Sequence, residues 1–237
     1  MKKPFKFKRF IIHQDRCAMK VGTDGVLLGA WAGINHNPQR ILDIGAGTGL
    51  LALMLAQRTN GETIDALEIE ENAHEQCVEN FENAPWADRL FCYHAGLDEF
   101  TDEMEYQYDL IISNPPFFME EVSSGNVSRD TARQNQSLPF EELLEGVTKL
   151  LAPKGTFATI LPFKEEVSFL KMATHRGLFP NRITHVKGNR NSEIKRSLLE
   201  FSFRKTKITE DLLTIETERH QYTEKYMELT RPFYLKM

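Results

Sequence analysis

Between residues 40 and 203, short β-like runs alternate with helical segments, and this alternation leaves few folds open. Strands are expected at Arg40–Ile44, Thr63–Glu68, Leu90–His94, Asp109–Ser113 and Thr156–Leu161. Helices are expected at Leu50–Arg58, Glu71–Glu82, Phe140–Leu151 and Lys164–Arg176, the last stopped by Gly177. Strand–helix repetition of this kind builds a parallel sheet covered on both faces. Two further strands, Ile183–Val186 and Ser197–Phe203, have no long helix between them, which predicts an antiparallel hairpin at one sheet edge. Ahead of the core lie a β-like stretch, Phe5–Ile12, and a short apolar helix, Asp24–Ala32. Residues 120–137 are polar and aperiodic and read as a mobile loop over the site.

Where the first core strand meets its helix, the chain runs Ile41-Leu42-Asp43-Ile44-Gly45-Ala46-Gly47-Thr48-Gly49-Leu50. The spacing is G-x-G-x-G, not the G-x-G-x-x-G of dinucleotide binders, which disfavours a nicotinamide-dependent oxidoreductase. Alternate glycines let the backbone turn sharply and come close to a ligand. That ligand then lies at the carboxyl ends of the strands. A ligand-free strand–helix turn would not need an aspartate ahead of three alternate glycines. Glu68 ends the next strand, about twenty residues on, where an acidic side chain can accept hydrogen bonds from both hydroxyls of a ribose. Glu70 and Glu71 suit the plainer role of starting a helix.

The third motif is Asn114-Pro115-Pro116-Phe117, directly after Leu110-Ile111-Ile112-Ser113. Its prolines hold an extended turn and remove two donors, which leaves carbonyls facing outward. The side-chain carbonyl of Asn114 and the backbone carbonyl of Pro115 can together accept both hydrogens of a planar amino group. So held, the nitrogen lone pair is kept out of ring conjugation and aimed at a methyl donor. Phe117 offers a flat surface to a planar substrate, and stacking of a base on an aromatic ring is worth roughly 1–3 kcal/mol. Asn-Pro also caps ordinary strands. Its position, roughly 65 residues after the glycine turn and at the end of the fourth core strand, selects the chemical reading.

Composition narrows the class. The chain has 237 residues, 41% of them hydrophobic, enough for one good-sized domain. Three cysteines, Cys17, Cys77 and Cys92, lack C-x-x-C spacing and fit a reducing cytoplasm. The seven histidines form no metal-ligand pattern, so no metal is expected. No apolar run approaches the roughly 18 residues a membrane helix needs, and the basic, aromatic start does not read as a signal peptide. The net charge of −5 opposes a nucleic-acid partner, but only a local positive face is required. Lys2, Lys3, Lys6, Lys8 and Arg9 crowd the start. Arg182, Lys187, Arg190, Lys195, Arg196, Arg204, Lys205 and Lys207 fall in one late segment, against Glu193 and Glu200. Charge alone does not distinguish such a face from ordinary solvated cations.

Asp43 to Gly49 resembles the nucleotide-binding motif of class I S-adenosylmethionine methyltransferases, and Asn114 to Phe117 resembles their amino-methylating motif. The resemblance covers about residues 20 to 205. It implies a Rossmann-like α/β fold: a seven-stranded sheet, mostly parallel with the last strand antiparallel, and helices on both faces. A single domain over 1–237 is then expected, with 1–39 an N-terminal β/helix extension, 40–205 the catalytic core and 206–237 a C-terminal extension. Met19-Lys20-Val21-Gly22-Thr23-Asp24-Gly25, continuing to Trp31, is similar to the opening segment of the bacterial tRNA1(Val) (adenine-37-N6)-methyltransferase family. The basic aromatic start and Ile194-Lys195-Arg196-Ser197-Leu198-Leu199-Glu200-Phe201 are similar to that family too.

The resemblance implies S-adenosylmethionine as cofactor and the anticodon loop of tRNA(Val) as partner, in a monomer or weak homodimer without membrane or metal. Lys20, Thr23 and Asp24 would border the methionine end of the cofactor. Asp43, Gly45, Ala46, Gly47 and Gly49 would form its floor, Glu68 would hold the ribose, Ile69 would also touch the cofactor, and Asn114 would lie beside the methyl. Many relatives carry an acid facing the adenine after the third strand. Here that strand is read through His94-Ala95-Gly96-Leu97-Asp98, with Leu97 in the acid's place and Asp98 shifted by one, which leaves adenine recognition to Asp98 or to backbone groups. Lys6, Lys8, Arg9, Arg190, Lys195 and Arg196 would hold RNA phosphates. Ribosomal RNA guanine, a glutamine of a release factor, or RNA binding without catalysis remain alternatives on the same scaffold. The glutamine type usually carries an N-terminal helical domain, for which about forty residues ahead of the glycines leave little room, and a pure binder needs no amine clamp.

Overall fold

The computed structural model describes residues 3–115 and 138–237, so Pro116, Phe117 and the expected loop at 120–137 lie outside the described residues. In chain order the strands are β1 (Phe5–Lys6), β2 (Ile11–Ile12), β3 (Arg40–Ile44), β4 (Thr63–Glu68), β5 (Leu90–His94), β6 (Tyr108–Ser113), β7 (Leu151–Pro162), β8 (Phe179–Asn189), β9 (Ile194–Ser202), β10 (Thr209–Glu218) and β11 (Gln221–Tyr222). The α-helices are α1 (Thr23–Trp31), α2 (Leu50–Arg58), α3 (Glu71–Glu82), α4 (Leu97–Glu103), α5 (Phe140–Leu150), α6 (Glu166–His175) and α7 (Glu224–Thr230).

Among the described residues, the main sheet has nine strands in the order β11-β10-β8-β9-β7-β6-β3-β4-β5. β5, β4, β3, β6 and β7 run parallel, and β9 runs antiparallel to both β7 and β8. The α/β class with a mostly parallel sheet is therefore as expected, but the sheet is wider than seven strands. The hairpin made by β8 and β9 does form, but it is not an edge. β9 inserts beside β7, and β10 pairs parallel with the outer side of β8, which makes both hairpin strands internal. The sequence beyond residue 206 supplies β10 and β11 and thereby satisfies backbone groups that β8 would otherwise expose.

Two apolar layers enclose the sheet. One gathers Leu53, Met54, Ile64, Leu110, Ile160 and Leu198 beneath α1, α2 and α7, and includes Phe7, Phe10 and Phe233 from the two ends of the chain. The other gathers Leu42, Leu67, Ile111, Phe157, Phe169 and Leu199 beneath α4, α5 and α6. Alternate residues of one strand thus enter opposite layers, as a sheet covered on both sides requires. α1 is buried from Gly25 through Trp31, so its sequence is apolar all round and not amphipathic. It lies close on α2: a methyl added at Gly25 would stand 2.9 Å from Leu50 Cδ2, and one at Gly29 2.7 Å from Met54 Sδ. These glycines are four residues apart, as are the residues they meet, so they form one helical stripe. The close approach brings the start of α1 to the start of α2, beside the glycine turn.

Candidate functional site

Three strands end at one level. Ile44 of β3 pairs with Leu67 of β4 on one side and with Ser113 of β6 on the other. The next residues, Gly45, Glu68 and Asn114, therefore leave the sheet together on adjacent strands about 5 Å apart. From β3 the chain proceeds outward to β4 and β5, then returns across β3 to β6 and β7. The reversal between β3 and β6 is where an open α/β sheet leaves a crevice for a ligand. The Ser113 hydroxyl donates to the Ile44 carbonyl at 2.8 Å and pins the two strand ends together.

Gly45, Gly47 and Gly49 all adopt positive φ, at 74°, 56° and 77°. A side chain there would strain the left-handed backbone. Their surroundings differ. Among the described residues, a methyl at Gly45 or Gly47 would meet nothing within 4 Å, whereas one at Gly49 would stand 2.5 Å from the Phe81 ring and 2.9 Å from Cys77 Sγ. The first two glycines thus face open space and the third packs on α3. The amides of Gly45 and Ala46 both donate to the Leu67 carbonyl.

Glu68 Oε2 accepts from the Gly47 amide at 2.7 Å and Oε1 from the Glu70 amide at 2.9 Å. Each carboxylate oxygen retains a second lone pair for a ligand hydroxyl. Glu70 caps the helix. Burial pushes its carboxyl up, but hydrogen bonds from Asn72 and Ala73 outweigh this and hold it below the usual range. Asp43 is buried. One carboxylate oxygen accepts from the Ala52 amide at 3.1 Å, and the other has no protein partner among the described residues. Burial pushes this carboxyl up to about 7, against the Ala52 hydrogen bond and with help from the negative charge of Glu68.

Beside the turn lies a strap of chain, residues 13 to 16, whose anchors no sequence motif marks. Asn80 of α3 accepts from the His13 amide and donates to the carbonyls of both His13 and Thr48. Gln76 accepts from the amides of Asp15 and Arg16. Both side chains are buried. Polar residues spaced four apart inside an otherwise ordinary helix were the available signal. Cys17 follows the strap. Burial, with the charges of Glu68 and Glu70 behind it, pushes its thiol up to about 12, so it is no nucleophile at neutral pH.

The remaining residues divide. Asn114 is half-buried, with its amide nitrogen 3.8 Å from where a side chain on Gly25 would begin; Pro115 is buried. Lys20 and Thr23 are exposed just before and at the start of α1. Asp24 binds Arg196 at 2.7 Å, so a carboxylate assigned to the cofactor and a cation assigned to RNA meet at one place. β5 stops at His94, the bound expected for that strand, and Leu97, in the stretch read on to Asp98, opens a helix, α4, that was not expected. Leu97 is buried and presses on Gly146 of α5, so its side chain belongs to the core. Asp98 instead curls back over Gly96, where Ile69 also lies.

Arg190 and Lys195 are exposed on the hairpin between β8 and β9. Lys8 and Arg9 are engaged elsewhere. Lys8 donates to the carbonyls of Arg231 and Met237, and Arg9 stacks over Trp86 at 5.1 Å. The adjoining Pro232 carbonyl is held by Gln57. Gln57 lies in the last turn of α2, about 10 Å of helix away from the glycine turn.

The model of the methyltransferase small domain matches residues 27–160. A tRNA1(Val) (adenine(37)-N6)-methyltransferase from Christiangramia forsetii is 60% identical over 99% of this chain and 98% of its own length. One of the same name from Trichodesmium erythraeum is 43% identical over 98% of each. Among solved structures, a predicted O-methyltransferase from Agrobacterium tumefaciens superposes with a TM-score of 0.69 at 19% identity, covering 89% of this chain and 96% of that one, a likeness of fold.

Proposed function

This chain belongs to the methyltransferase small-domain family, and from that premise we propose that it moves a methyl group from S-adenosylmethionine to the exocyclic N6 of an adenosine in cytoplasmic tRNA, the one just 3′ of the anticodon of tRNA(Val). The observation that carries the reading is Asn114 leaving β6 level with the glycine turn of β3, in a chain 60% identical to an enzyme named for that reaction. Three free cysteines suit a reducing compartment.

The residues present fit the cofactor. Among the described residues nothing fills the space over Gly45 and Gly47, and the Glu68 carboxylate borders it with lone pairs to spare. Glu68 would hold the ribose hydroxyls, Thr23 and Asp24 would border the methionine end, and Asp98 with Ile69 would flank the adenine. When bound, the cofactor supplies an already electrophilic methyl, so the hard chemistry is its own. The protein positions the acceptor. Asn114 and Pro115 would accept the two amino hydrogens through their carbonyls and hold the nitrogen lone pair out of the ring, and the sequence offers Phe117, outside the described residues, as the ring to stack on the base. Fixing the reacting groups in line is the larger part of the catalytic effect. No side chain has to act as a strong base, since the amine sheds its proton once the new bond has formed. An anticodon-loop base is extruded at lower cost than one in a duplex.

The test is incubation of the purified protein with labelled cofactor and tRNA from cells lacking the gene, followed by nucleoside mass spectrometry. N6-methyladenosine in a single tRNA is expected. Label in a methylguanosine or in protein would overturn the substrate assignment.

A further inference from the structure

Phe163 lies at the end of β7, outside the glycine, ribose-binding and amino-methylating motifs. Ser113 of β6 pairs with Thr159, and β7 runs on to Pro162, three residues and about 10 Å further toward the mouth of the site. Phe163 follows, opening a single 3-10 turn, with 39% of its surface exposed. Single apolar residues at a surface are ordinary; what sets this ring apart is how it is held. The His185 imidazole meets it nearly perpendicular, at 86° and 5.2 Å between centroids. His185 is in turn fixed by Glu166, whose Oε2 lies 2.8 Å from Nε2 and also accepts from the Ser197 hydroxyl. Three elements, β8, α6 and β9, thus converge to set the angle of one exposed ring. Lys187, two residues past His185 on the same strand, shares its face and brings a cation to the same surface.

We propose that Phe163 is a stacking platform for an unpaired nucleobase of the RNA substrate that neighbours the methylated one, with Lys187 receiving the adjoining phosphate. This deepens the proposed function and rests on it. An aromatic face beside a cation is what single-stranded RNA recognition requires, since every base has a π-face and the backbone is anionic. A distance of about 10 Å beyond the level of Asn114 suits a nucleotide one or two steps along the loop. His185 and Glu166 are positioning residues here, because they act through the ring.

The experiment compares wild type with Phe163→Leu and Phe163→Trp, using an anticodon stem-loop RNA and saturating cofactor. Phe163→Leu should raise KM for RNA about tenfold, the loss of roughly one stacked base, with kcat and cofactor binding unchanged. Phe163→Trp should restore KM. Thermal melting controls for folding, and an exposed side chain should leave it unmoved. Unchanged KM in Phe163→Leu, with wild type active, would overturn the platform alone. A wild-type protein that methylates no RNA at all would fell the functional reading first, and the platform with it.

Discussion

The two sides of this molecule that the proposed function assigns to cofactor and RNA are built differently. Around the glycine turn, positions are fixed by polar groups that are buried or half-buried: Ser113 ties β6 to β3, Asn80 ties Thr48 to the strap at His13, and the half-buried Glu68 ties the turn to the start of α3. On the β8–β9 hairpin, Arg190 and Lys195 stand on long exposed side chains. A small cofactor needs its cradle preorganised, because an error of a fraction of an ångström misaims the methyl. A polyanion is drawn by net local charge, which tolerates mobile side chains. Changes on the first side should therefore act steeply and on particular steps, and changes on the second shallowly and additively.

Asn114→Ala tests the strongest form of that contrast. It removes one of the two acceptors proposed to grip the amine but leaves the glycine turn whole. Turnover should fall by about 100- to 1,000-fold, as for loss of one preorganised hydrogen-bonding group, with cofactor affinity by calorimetry near wild type. Turnover within a factor of a few of wild type would remove Asn114 from the chemistry. Glu68→Ala comes next. It deletes the proposed ribose acceptors and frees the Gly47 amide, so cofactor affinity should weaken about 10- to 100-fold. Glu68→Gln, which keeps one oxygen acceptor, should lose less, and equal losses in the two variants would contradict a hydrogen-bonding role.

The strap allows a finer distinction. Asn80→Ala leaves the His13 amide and two carbonyls short of a buried partner, at a cost of about 1–3 kcal/mol. Part of that should appear as a lower melting temperature and part as cofactor affinity weakened about tenfold, with KM for RNA unmoved at saturating cofactor. A lower melting point with full cofactor affinity would make the strap a purely structural clasp.

What could be read from sequence follows the same division. Glycines at alternating positions after Asp43 have a backbone reason to be there, and the positive φ of all three follows from it. The helix over Glu71–Glu82 matches its expected bounds because its apolar side is periodic and Glu70 caps it. The strand over Leu90–His94 also matches its expected bounds, but the short helix α4 that follows Gly96 was not expected, because a lone leucine such as Leu97 looks the same in a strand end or a helix start. Neighbour relations within the sheet were not legible. β8 and β9 were found as strands, but nothing local says that Thr209–Glu218, charged and with Leu213 as its buried residue, would cover β8 and make it internal. Nor does a lysine announce that, like Lys8, it will spend its charge on carbonyls from the far end of the chain.

The smallest effect is expected on the hairpin. If its cations neutralise phosphates and displace counterions, as proposed, log affinity for the stem-loop RNA should fall linearly with log salt. Lys195→Ala should weaken binding a few-fold at low salt and reduce the magnitude of that slope by about one. Lys8→Ala should leave the slope alone, since that ammonium is already engaged by the C-terminal carbonyls on the far side of α2. Arg196 is the informative intermediate. Bound to Asp24 at 2.7 Å, it belongs to both sides of the molecule. Arg196→Ala should therefore alter cofactor affinity as well as the salt slope, while Lys195→Ala alters the slope alone. Fluorescence anisotropy across a salt series, paired with calorimetry of the cofactor, separates them. If Lys8→Ala and Lys195→Ala flatten the slope equally, the RNA surface extends over both ends of the chain and the division between a stiff cradle and a charged hairpin is drawn in the wrong place.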